Sequence, residues 1–133
     1  MKNLRKILVS VVLFLATIAC NNTEKQVQAL IDEFDKHLPI EYGSELVLES
    51  CEFDRQNVVY KYKLPEVAIT PEEVEELKMT IFNEETLADE QLRHLLTLLA
   101  EGGYGLVYDY SDYKNNSIAI TFSPQEIKTI IEK

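Results

Sequence analysis

Apolar and polar residues follow three different rhythms along this chain. Ile7 to Ala19 is almost continuously apolar, broken only by Ser10 and Thr17. At about 1.5 Å per residue such a run covers about 20 Å as a helix, short of the roughly 30 Å hydrocarbon core of a membrane. Preceded by Lys2, Arg5 and Lys6, it predicts the hydrophobic region of a signal peptide rather than a membrane span. Beyond it, Val27, Leu30, Ile31, Phe34 and Leu38 recur at helical spacing. That pattern predicts a helix opened by Thr23, with Gln26 closing a capping box, and ended by Pro39. The rhythm then changes to alternation. Strands are predicted over 45–53 and 58–64, joined by Asp54-Arg55-Gln56-Asn57, which sets Phe53 opposite Val58 and Cys51 opposite Tyr60. One face carries Val47, Cys51 and Phe53 with Val58, Tyr60, Tyr62 and Leu64; the other carries Ser50 and Glu52 with Val59, Lys61 and Lys63.

The second half repeats these rhythms. Thr70-Pro71-Glu72-Glu73 is a helix start, with Val74, Leu77 and Ile81 as the apolar stripe. A further helix is predicted over 86–101 through Leu92, Leu95, Leu96 and Leu99, stopping at Gly102-Gly103. Strands over 104–111 and 117–122 follow, with Leu106, Tyr108 and Tyr110 on one face and Ile118, Ile120 and Phe122 likewise alternating. Ser123-Pro124-Gln125-Glu126 then caps a last helix bearing Ile127, Ile130 and Ile131. The element order reads α-β-β-α twice. The predicted fold is α+β, a four-stranded antiparallel sheet of two β-hairpins with helices packed on one face. Val58-Val59-Tyr60-Lys61-Tyr62 and Leu106-Val107-Tyr108-Asp109-Tyr110 share an apolar-Val-Tyr-x-Tyr pattern. Either this marks an α-β-β internal duplication or it reflects the general liking of half-buried strands for valine and tyrosine.

The end of the leader changes the picture. Thr17-Ile18-Ala19-Cys20 gives way at once to Asn21-Asn22-Thr23-Glu24-Lys25. This resembles the lipobox of bacterial lipoproteins, with Thr17 where a leucine-like residue is usual. The resemblance implies cleavage before Cys20, lipidation of its sulfur and acylation of the new amine. The organisation expected is a signal peptide at 1–19, a lipidated cysteine with a very short tether at 20–22, and a single α+β domain at 23–133. Several acyl chains, at about 0.8 kcal/mol per buried CH₂, make such an anchor stable. The expected location is the cell envelope, facing the periplasm. Asn21 after the lipidated residue implies, by resemblance to enteric sorting rules, the outer rather than the inner membrane. The strand at 58–62 and the closing Ile-Ala-Ile-Thr-Phe-Ser-Pro-Gln-Glu at 118–126 are similar to small exported bacterial domains of unknown function, and carry over no functional residue.

Charge narrows the partners. Losing residues 1–19 removes three of thirteen basic side chains and none of twenty-three acids, leaving a formal charge of −13. Nucleic acid is excluded, because phosphate binding needs clustered Lys and Arg. A cationic protein partner fits, and the acidic run Glu72, Glu73, Glu75 and Glu76 is the candidate patch for it; surface solvation and complementation of the helix dipole explain the same residues. With Cys20 lipidated, Cys51 has no disulfide partner and is expected as a small buried hydrophobe. His37 and His94 sit at the borders of helical stripes. A zinc site joining them to Cys51 lacks the short ligand spacing of metal motifs, so no metal and no cofactor are expected. Serine elbows, Cys-x-x-Cys pairs and glycine-rich phosphate loops do not occur, and the chain reads as a non-enzyme. Seven tyrosines without a tryptophan are the unusual enrichment. Tyr60, Tyr62, Tyr108 and Tyr110 are expected on the helix-covered face, either as core rings with hydroxyls at the rim or as the lining of a groove for a peptide, glycan or other small ligand. The leading expectation is a membrane-anchored protein that binds another protein, in an accessory, inhibitor or immunity-type role.

Overall fold

The computed structural model describes residues 12–43, 45–65, 68 and 70–132, with side chains from residue 23 onward. The basic flank of the leader lies outside this range, as does the side chain of Cys20. The first helix among the described residues, here α1, spans Val12–Asp35, so Thr23 lies inside it instead of capping it. Leu13, Leu15, Ala16 and Ala19 favour a helix, and once nucleated it propagates through the polar residues that follow. The helix also stops at Asp35, short of Pro39. Among the described residues no helix is long and apolar enough to cross a membrane.

The sheet has five strands, not four: β1 (Ile40–Tyr42), β2 (Leu46–Phe53), β3 (Asn57–Lys63), β4 (Gly105–Ser111) and β5 (Ser117–Phe122), in spatial order β1-β2-β3-β4-β5. It is also mixed. Pairs β1/β2, β2/β3 and β4/β5 are antiparallel, whereas β3 and β4 are parallel. The four-stranded antiparallel expectation is therefore wrong. The reason lies between the hairpins, where α2 (Pro71–Thr80), α3 (Glu84–Leu87) and α4 (Glu90–Gly102) form one long connection. A helical crossover returns the chain to the end from which β3 started, and the next strand then runs parallel to it. β1 is too short to show periodicity.

Parallel pairing has a further consequence. Val58 faces Leu106, Tyr60 faces Tyr108 and Tyr62 faces Tyr110, so the two copies of the shared strand pattern pair with each other in register. β2/β3 keeps the predicted register of Phe53 with Val58 and Cys51 with Tyr60. A bulge between Leu48 and Ser50 changes the parity upstream of it. Leu48, only 1% exposed, takes the core position expected of Val47.

The predicted helix over 86–101 is two. Asn83 and Thr86 exchange reciprocal 2.9 Å bonds at the start of α3, and Asp89 accepts from the Gln91 amide to open α4. Gly103, at φ +75°, caps α4 in the left-handed region. The last helix, α5 (Pro124–Ile131), has the expected box: Ser123 Oγ accepts from Glu126 N and Glu126 Oε1 accepts from Ser123 N. Val27 and Ile31 of α1, Leu96 and Leu99 of α4 and Ile127 of α5 close over Val58, Leu106, Ile120 and Phe122 of the sheet. On the opposite face Ala119 and Thr121 are exposed, and Lys61 pairs with Glu52 at 3.4 Å.

Candidate functional site: a cleft between two helices

Helix α1 packs over β2, α4 and α5 pack over β4, and α1 also meets α4. Where α1 and α4 part, above β3, a cleft of about 630 Å³ opens. Tyr60, Tyr62, Tyr108 and Leu48 form its floor. Leu30, Ile31 and Phe34 of α1 make one wall, and Leu92 and Leu95 of α4 the other. Glu33, His37, Tyr42, Asp89, Gln91 and His94 complete the lining, which contains no Lys or Arg among the described residues. Leu30 is 38% exposed and Tyr42 50% exposed, so apolar surface stands open at the mouth.

The floor is a ladder of rings. Tyr60 stacks on Tyr108 at 5.3 Å and Tyr62 on Tyr110 at 4.9 Å, both nearly parallel. Phe34 meets Tyr60 edge-on at 5.9 Å. Each such pair contributes about 0.5–1.5 kcal/mol beyond area burial. Burial holds the hydroxyls of Tyr60, Tyr62 and Tyr108 protonated far into the alkaline range, and pushes Tyr110 up to about 12. The floor thus offers neutral hydroxyls, suited to hydrogen bonding and not to proton abstraction. Cys51, 3% exposed, lies beside it. Burial, reinforced by the charge of Asp35, pushes its thiol up to about 12, which makes it a poor nucleophile.

Of the four tyrosines singled out by sequence, three line the cleft. Tyr110 stands behind Tyr62 and is buried. The acidic run is elsewhere: Glu72, Glu73, Glu75 and Glu76 are exposed on α2, which packs on β5 at the far edge of the sheet. Nearby, Lys78 joins Glu126 at 3.1 Å and lies 5.4 Å from the centre of the Phe122 ring. His37 and His94 both reach the cleft rim and both are exposed. Among the described residues no group of three His, Cys, Asp or Glu is placed to hold a metal ion.

Sequence reading missed Leu30, Leu92 and Tyr42 as site residues. The two leucines belong to ordinary helical stripes, and their exposure depends on how far apart two helices settle. It also missed Asp112, which is fully buried. Asp112 Oδ1 accepts from the amides of Lys114 at 2.9 Å and Asn116 at 3.0 Å, and Oδ2 accepts from Asn116 Nδ2. The signal for it was present: an aspartate opening a polar turn bonds the backbone two residues on.

No protein-family model matches the chain, and no curated protein matches its sequence. Two solved structures share its fold. One is a pilotin from the type 2 secretion system of Vibrio vulnificus, with a TM-score of 0.55, 15% identity, and coverage of 80% of this chain and 96% of that one. The other is a Pseudomonas aeruginosa protein provisionally classed as secreted, with a TM-score of 0.52, 11% identity, and coverage of 80% and 93%. At these identities the likeness is one of fold.

Proposed function

We propose that this chain is a membrane-anchored, non-enzymatic lipoprotein of the cell envelope that binds a protein partner in an accessory role. The observation that carries this reading is the open cleft, whose apolar walls and exposed Leu30 and Tyr42 leave surface of the kind that interfaces bury. Its tyrosines and the neighbouring thiol are held neutral, a chemistry suited to recognition. Fold likeness to a pilotin of a secretion system supports a role beside other envelope proteins. Cys20, with the leader before it, supplies the anchor; Asn21 directs it to the outer membrane, with the domain facing the periplasm.

A photo-crosslinking residue placed at Leu30 or Leu92 in living cells tests the partner. A discrete protein adduct from these positions, absent when the residue is placed at exposed Ala119 on the opposite face, is expected. If the cleft positions yield no protein adduct, the reading fails. The anchor is tested by labelling with palmitate, which Cys20→Ser should abolish. A second reading, a small-ligand or glycan site, is favoured by Tyr60, Tyr62 and Tyr108 lining the floor. A small molecule that co-purifies with the protein and is lost in Tyr60→Ala, with no protein adduct from the cleft positions, would favour it instead.

A further inference from the structure

The charge around the cleft is one-sided. Glu33 and Asp89 lie in its lining on opposite helices, Asp32 and Glu90 adjoin them, and Glu41 flanks Tyr42 at the mouth; all five are exposed. Lys36, 3.2 Å from Glu33, offsets part of that charge through an exposed contact, and His37 Nε2 lies 3.9 Å from the same carboxylate. Arg93 points away to donate to the carbonyl of Ile131 on α5 at 3.0 Å, so the rim keeps an excess of acids. Between the acids the walls are aliphatic and aromatic. An apolar trough with an acidic rim matches an occupant with apolar side chains on one side and positive charge on the other.

The dimensions limit that occupant. The lining runs from Leu30 on α1 to His37 just past its end, and from Asp89, the cap of α4, to Leu95, about 10 Å along each helix direction at 1.5 Å per residue. That length accommodates a short segment of chain, not a whole domain face. A second copy of this protein would bring the same negative charge. An anionic lipid headgroup would meet the acids of the rim. The cleft also lies away from the anchor end of α1: Thr23 packs by Gly102 at the far end of α4, and Glu24 pairs with Arg55 at 3.1 Å.

We infer that the cleft between α1 and α4 takes a short amphipathic, basic segment of a partner protein. Its apolar side chains enter against Leu92, Tyr60 and Tyr62, and its Lys or Arg residues meet Glu33 and Asp89. This rests on the protein-binding reading above and specifies the chemistry of the bound segment.

The test uses full-length protein in a nonionic detergent and three fluorescent synthetic peptides of about fourteen residues. All three share one spacing of leucines, with the remaining positions Lys, Glu or Ser; binding is followed by anisotropy against protein-free detergent. The Lys peptide should bind at least about tenfold more tightly than the other two, and weaken as salt rises from about 50 to about 500 mM. Glu33→Lys combined with Asp89→Lys should move the preference to the Glu peptide. Leu92→Ser should weaken binding of the Lys peptide with little change in fold stability.

If the Ser or Glu peptide binds wild type as tightly as the Lys peptide, the charge assignment is overturned, while the in-cell crosslinking result still decides whether a protein partner exists. If the Lys peptide binds the variants as it binds wild type, or binds wild type no better than the blank, the cleft is not its site. Loss of the crosslink itself would strike the broader reading instead.

Discussion

The same sheet face is sealed over Leu106 and Tyr110 of β4 and open over Tyr60 and Tyr62 of β3. The two strands carry matching patterns paired in register, with Tyr60 against Tyr108 and Tyr62 against Tyr110. Yet Tyr108 and Tyr110 are buried whereas Tyr60 and Tyr62 stay partly exposed. The difference comes from the helices. α4 and α5 sit over β4, α1 sits over β2, and the gap between α1 and α4 falls above β3. A five-stranded sheet presents a wider apolar face than these helices cover, and the uncovered strip becomes the cleft. Local sequence sets the chemistry of that strip; the spacing of the helices decides whether it is core or site.

Leu96 offers the strongest way to test the sealed half. It is fully buried between the helices and the sheet, so Leu96→Ala should cost about 3 kcal/mol through lost transfer energy and a residual cavity. Urea unfolding would show this as a lower midpoint with an unchanged slope. A loss under about 1 kcal/mol would mean that this half repacks easily and is not the rigid part of the molecule.

Next in size is an alkaline effect at Cys51, which lies on β2 beside the cleft. An unfolded thiol ionises near 9.0, whereas the buried one is pushed up to about 12. Between those values the folded state keeps a proton that the unfolded state has lost. The contribution to stability is complete below about pH 9 and is lost as the pH rises toward 12. By about pH 11 the loss from this group is on the order of 2 kcal/mol, and the buried tyrosines add to it in the same direction. Cys51→Ala should shallow the slope of stability against pH above 9. Iodoacetamide near pH 8 should leave native Cys51 unmodified and label it only on unfolding. Rapid labelling of the native protein would show that water in the cleft reaches the thiol.

Smaller again is the cap of α5, which helps close the sealed half. Ser123→Ala removes the side-chain acceptor for the Glu126 amide and should cost about 1 kcal/mol. That bond was legible in the sequence, as were the Thr70 start, the glycine stop of α4 and the pairing of β2 with β3, because each is set by residues a few positions apart. The parallel pairing of β3 with β4 was not legible. The order of strands across a crossover leaves no mark on the alternation of either strand, and two hairpins invite an antiparallel reading. Nor did periodicity reveal the bulge that puts Leu48 in the core, since one extra residue inverts parity without changing composition. The break between α3 and α4 is marked in the sequence by Asp89 alone, a capping residue inside an otherwise continuous helical run. For the site, the tyrosines were found because their alternation is local. The cleft was not, because Leu30 and Leu92 have the spacing of core residues and become exposed only through the separation of α1 and α4.

Leu92 provides the finest test of that separation. It stands one helical turn before Leu96 on α4, the same residue type on the same helix, but it lines the cleft and is only partly buried. Leu92→Ala removes contacts on one side only and opens no closed cavity, so its cost should stay below about 1 kcal/mol. Measured beside Leu96→Ala under the same conditions, it turns the contrast between the two halves into a difference between two midpoints. Equal losses would mean that α1 and α4 close over Leu92 in solution and that the tyrosine floor is core after all. A small loss at Leu92 together with a large one at Leu96 fits a cleft held open by the frame around it, with an apolar wall left free for a partner.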